Sequence, residues 1–86
     1  MSERKSRYKA TIDGNIYTIV GPKSQKHMRV VAETVDEQLA QLKEMTKGLD
    51  IEKRAILLAI NAVSDQLAMR KELEEMKEKM EQAEKN

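Results

Sequence analysis

Apolar and polar positions begin to alternate at Tyr8. Tyr8, Ala10 and Ile12 are interleaved with Lys9 and Thr11, and Ile16-Tyr17-Thr18-Ile19-Val20 is β-branched or aromatic throughout, as strands require. Asp13-Gly14-Asn15 supplies turn chemistry between the two runs, so residues 8–20 are predicted to form a β-hairpin. The loop can be Asp13-Gly14 or Gly14-Asn15, which leaves the register open. Either choice sets Tyr8, Ala10 and Ile12 on the same face as Tyr17 and Ile19. Ile16 and Val20 make the other face apolar too, so partial cover is expected on both sides. A lone hairpin is marginal in water and must lean on other elements.

Gly21-Pro22 ends the second strand, and Ser24 is placed to cap a helix, because its side chain can accept from a free first-turn N–H. Met28, Val31, Val35, Leu39, Leu42 and Met45 then recur at intervals of three and four, one stripe on one helix face. Gly48 suits the position after the helix, with Lys43 and Lys47 favourably close to its C-terminal dipole. Asp50 can cap a second helix directly afterwards. So short a connection predicts an αα-hairpin.

No proline or glycine interrupts Asp50 to Lys85, yet the pattern changes character within that run. Ile51 to Met69 holds 12 apolar residues in 19, on nearly all sides of a helix, which predicts burial. Beyond it, 11 of the last 17 residues are charged and only Leu73, Met76, Met80 and Ala83 are apolar. That spacing is a coiled-coil seam, with Leu73 and Met80 at heptad position a and Met76 and Ala83 at d. Extended backward, the register takes in Met69, Gln66, Ala62, Ala59 and Ala55; Gln66 is its one polar interruption. In a parallel pair the flanking charges match: Asp65 meets Arg70, Glu72 meets Lys77 and Lys79 meets Glu84. Exposed pairs are worth only about 0–1 kcal/mol each, so they select an orientation more than they stabilise it. A second stripe, Ile56, Ile60, Val63 and Leu67, lies beside the first and is expected to pack on the hairpin and first helix. An antiparallel overlap would also match some of the flanking charges, and a seam this short and rich in methionine predicts that dimers pair further into a tetramer, burying the tails in a four-helix arrangement. The residues expected to carry assembly are Ala59, Ala62, Gln66, Met69, Leu73, Met76, Met80 and Ala83.

The fold class expected is α+β: a small head of a β-hairpin packed on two helices, the second helix extended into a coiled-coil tail for dimer or tetramer assembly. Its parts are a basic flexible N-terminus over residues 1–7, the head over 8–69 and the charged tail over 70–86.

Composition supports assembly. With 86 residues, no Phe, Trp or Cys, two Tyr and six Met, a single core is thin and neither disulfides nor thiolate metal sites can supplement it. No apolar run approaches a membrane span, and the basic start is not followed by a signal-type apolar stretch, so a cytoplasmic location is expected. The formal net charge is only +1, but the first 31 residues carry seven Lys or Arg against two Asp or Glu. A basic head facing an acidic partner is one reading of that asymmetry; a solvated tail is the other.

Catalytic chemistry is not evident. His27 is the only histidine, without companions for a metal site or for acid–base work, and the three glycines all fall at turns instead of in a phosphate-binding loop. No catalytic, cofactor-binding or metal-ligating residue is assigned, and an enzyme is not expected. Asn61, polar within an apolar run, is expected to cap main-chain groups of the hairpin.

The ordered combination of basic start, Asp13-Gly14-Asn15-Ile16-Tyr17-Thr18-Ile19 hairpin, Gly21-Pro22, His27-Met28-Arg29-Val30-Val31-Ala32, Leu49-Asp50-Ile51 and Ala55-Ile56-Leu57-Leu58-Ala59-Ile60-Asn61-Ala62 resembles the ZapA family of bacterial cell-division proteins. The likeness spans roughly residues 8–69, and the short tail is similar to the Gram-positive branch. The resemblance implies a non-enzymatic, cytoplasmic protein at the midcell division site. Such a protein self-assembles, binds FtsZ and cross-links or aligns FtsZ filaments to promote Z-ring assembly. It also implies that charged head residues touch the filament, which transfers to Lys26, Arg29 and Glu33 of the first helix and to Arg7 and Lys9 of the hairpin. The alternative is a small dimeric nucleic-acid-binding protein using the basic N-terminal segment and hairpin, whose binding would fall steeply with salt.

Overall fold

A computed structural model describes residues 5–85. The predicted flexible N-terminus lies mostly at its margin: residues 1–4 are outside the described part. The elements follow in the order β1 (Ser6–Ile12), β2 (Asn15–Gly21), α1 (Gln25–Met45) and α2 (Ile51–Glu84). Residues up to Arg54 form one compact unit, and those from Ala55 a second.

The hairpin register follows from its turn. Ile12 pairs with Asn15, so the loop is Asp13-Gly14, and both loop residues have positive φ, 51° and 79°. Two consecutive left-handed residues make the type I′ turn that matches strand twist; glycine takes this conformation freely and aspartate tolerates it better than most residues. Pairs Tyr8–Ile19 and Ala10–Tyr17 confirm the shared inner face, while Arg7–Val20, Lys9–Thr18 and Thr11–Ile16 form the outer one. The strand starts at Ser6, ahead of the expected Tyr8, because Ser6 and Arg7 still find partners in Gly21 and Val20.

Local signals delimit the helices. The Ser24 side chain accepts from the N–H of His27 at 3.1 Å, and Asp50 Oδ1 accepts from the N–H of Lys53 at 3.0 Å. Each satisfies a donor that a helix start would otherwise leave free. α1 stops at Met45 with Thr46 as its C-cap, whose N–H donates to Leu42 O at 2.8 Å. The Thr46 hydroxyl donates to the same carbonyl, so the helix ends just short of Gly48, which takes φ +90° within the link.

α1 packs on β1. The buried apolar residues are Ala10, Met28, Ala32 and Leu39, with Tyr8, Ile12, Ile19, Val35 and Leu42 half-buried around them. Met28, Val35, Leu39 and Leu42 of the expected helix stripe face inward, and the stripe is turned slightly toward Ala32. Ala32 is inside, whereas Val31 is 44% and Met45 78% exposed. Small side chains at Ala10 and Ala32 suit a close helix–strand approach, and an approach over β1 turns the Val31 flank outward.

α2 is unbroken over 34 residues, about 50 Å at 1.5 Å per residue. Ile56, Ile60, Val63 and Leu67 are 52–62% exposed, and only Arg54 of the whole helix is buried. Asn61 is likewise exposed.

Candidate interaction surfaces

Lys26, Arg29 and Glu33 are all exposed, and their spacing of three and four puts them on one stripe of α1. That stripe points away from buried Met28, Ala32 and Leu39. Arg7 and Lys9 are also exposed, but they belong to the outer hairpin face with Ile16, Thr18 and Val20. The five charged residues do not form one site. They make two patches on opposite layers of the same small unit, one on the helix and one on the sheet.

A residue that sequence reasoning passed over holds this unit together. Arg54, only 6% exposed, directs Nη1 at Leu39 O (3.4 Å) and Asp13 Oδ1 (3.6 Å). The Asp13 N–H in turn donates to Asp36 Oδ1 at 2.8 Å. One guanidinium thus ties the first turn of α2 to the end of the hairpin and the middle of α1. Its Nε has no partner among the described residues, which costs about 1–3 kcal/mol for a buried donor. The sequence signal was one of two adjacent cations, Lys53 and Arg54, where the apolar run begins, and nothing in periodicity distinguishes it from a solvated one.

The second unit presents its apolar residues to solvent. Met69, Leu73, Met76 and Met80 are 53–67% exposed, and Ala59, Ala62, Gln66 and Ala83 are exposed with them. All eight lie along one slowly drifting stripe of α2. Contiguous apolar surface of this extent marks an interaction site.

The sequence profile described as "Cell division protein ZapA" matches residues 8–86, from the hairpin through the end of the tail. The chain belongs to the ZapA family. It is 45% identical over 71 residues to the cell division protein ZapA of Bacillus licheniformis, covering 80% of this chain and 84% of that protein. With the cell division protein ZapA of Geobacillus sp. (strain WCH70) it shares 38% identity over 78 residues, 91% of this chain and 90% of the relative. A solved structure described as a ZapA mutant dimer from Geobacillus stearothermophilus superposes with a TM-score of 0.77 at 34% identity, covering 93% of both chains. The ZapA match thus extends through the charged tail, beyond the residues 8–69 that carry the resemblance. Among the described residues no helix is long and apolar enough to cross a membrane.

Proposed function

We propose that this ZapA-family chain is a non-enzymatic cytoplasmic division protein that binds FtsZ filaments and cross-links or aligns them at midcell. It self-associates through α2, first as a parallel dimer and then, tail to tail, as a tetramer. The observation that carries the reading is the long exposed stripe of α2 from Ala59 to Ala83, which a lone chain leaves in water. Two further points support it. A solved ZapA relative is described as a dimer, and the family is one of cell division proteins.

Mechanistically, joined chains carry several copies of the small basic unit. Linking weak sites raises avidity through effective concentration without any new contact. The charged patches at Lys26, Arg29 and Glu33, and at Arg7 and Lys9, would dock on an acidic filament surface while the α2 seam sets how many docking units move together. Sedimentation of FtsZ with GTP tests the partner: the chain should pellet with filaments, and light scattering should rise as they bundle. A chain that stays in the supernatant at micromolar concentrations of both proteins defeats the proposal.

A further inference from the structure

β2 has an uncovered edge. In an antiparallel ladder alternate residues turn their N–H and C=O groups outward. Pairing from Ile12–Asn15 makes those residues Arg7, Lys9 and Thr11 on β1 and Ile16, Thr18 and Val20 on β2. The β1 edge is partly closed: Gln25 Nε2 donates to Arg7 O at 3.0 Å, and Arg7 and Lys9 supply charges of the kind that protect an edge. Nothing comparable guards β2. It holds no charged residue and no proline, and among the described residues none of the hydrogen bonds outside the ladder reaches Ile16, Thr18 or Val20. Beside this edge, between β2 and α1, lies an open cleft of about 220 Å³ lined by Ile19, Gly21, Lys23, His27, Met28 and Val31. It exists because α1 packs on β1, which leaves Val31 44% exposed and Tyr17 49% exposed on the side of the missing neighbour strand.

We infer that the β2 edge and this cleft together accept an extended peptide segment of alternating apolar and acidic residues, added as a third strand. Main-chain groups of the segment pair with Ile16, Thr18 and Val20. Its inward side chains fill the cleft against Ile19, Met28 and Val31, since alternate residues of a strand face the same side. Arg7 and Lys9 share the outer face with Thr18 and Val20, within a first 31 residues bearing seven cations against two anions, and favour carboxylates over amines among the outward residues. The site is separate from the Lys26–Arg29–Glu33 stripe and does not depend on FtsZ being the source of the segment.

The full chain, isotope-labelled, would be titrated with a ten-residue peptide of alternating valine and glutamate. Controls are the valine–lysine counterpart and a version N-methylated at alternate residues, which keeps side chains but loses one edge of hydrogen bonds. Saturable amide shifts in Ile16–Gly21 and around Val31, with slowed hydrogen exchange at Ile16, Thr18 and Val20, are the expected result. Thr18→Pro removes one outward N–H while leaving the β1–β2 ladder bonds intact, and should weaken binding roughly tenfold. Val31→Lys should weaken it by a similar factor without touching the edge, and intact hairpin amide shifts in both variants show that the fold survives. Equal binding of the N-methylated or lysine peptide, or no saturation, overturns the inference. So does concentration-dependent protection of the same amides without peptide, which would mean that a second copy fills the edge.

Discussion

Replacing Leu73 and Met76 together by Glu is the sharpest test of the α2 seam. In the single chain these side chains are 53% and 55% exposed, so about half of each surface is left for a partner helix to bury. Full burial of a Leu or Met side chain is worth about 1.5–3 kcal/mol, hence roughly 1 kcal/mol for the remaining half of each. A dimer holds four such side chains, which makes about 4 kcal/mol, or near three orders of magnitude in the dissociation constant at 1.4 kcal/mol per tenfold. Four carboxylates facing one another across the seam add repulsion on top. Sedimentation equilibrium over nanomolar to high micromolar concentrations reads the effect directly. Glutamate is a good helix former, so loss of α2 does not confound the result, and both positions lie outside the compact unit that ends at Arg54. The double variant should sediment as monomer where the unsubstituted chain is associated, with the hairpin amide spectrum retained. A dissociation constant within tenfold of the original would refute the seam assignment. Light scattering with FtsZ should fall in parallel, and undiminished bundling by a monomeric variant would reject the cross-linking mechanism.

Other expectations concern the small unit. Gly14→Ala meets no atom within 4 Å but must hold φ +79°, so a loss of about 1–2 kcal/mol, all from backbone conformation, should appear in thermal unfolding. Arg54→Ala removes a buried stem and the link among α2, Leu39 O and Asp13, and should cost about 2–4 kcal/mol in chemical denaturation. Asp13→Asn should cost under about 1 kcal/mol, because that carboxylate is 29% exposed and 3.6 Å from Nη1. Lys26→Glu with Arg29→Glu should reduce FtsZ co-pelleting severalfold while leaving sedimentation of the chain alone unchanged. If Arg7→Glu with Lys9→Glu does so instead, the sheet patch, not the helix patch, is the docking surface.

Much of the architecture was legible in the amino-acid order. Strand alternation, the Ser24 and Asp50 caps and the apolar run of α2 act over a few residues, so they are written where they operate. The inner-face set of the hairpin survived even an undecided turn, because a two-residue ambiguity leaves strand parity unchanged. The one-sided stripe of the tail could be read because few apolar residues compete for that face.

Tertiary structure alone decided what depends on how layers meet. The choice of Asp13-Gly14 over Gly14-Asn15 showed only in the folded hairpin, and the burial of Ala32 in place of Val31 and Met45 and the uncovered β2 edge follow from where α1 settles, over β1. Arg54 looked like any surface cation until hairpin, α1 and α2 were brought together around it. Local periodicity sets which residues share a face; the position and rotation of one face against another arise from packing between segments distant in the chain, and no short window of sequence records them.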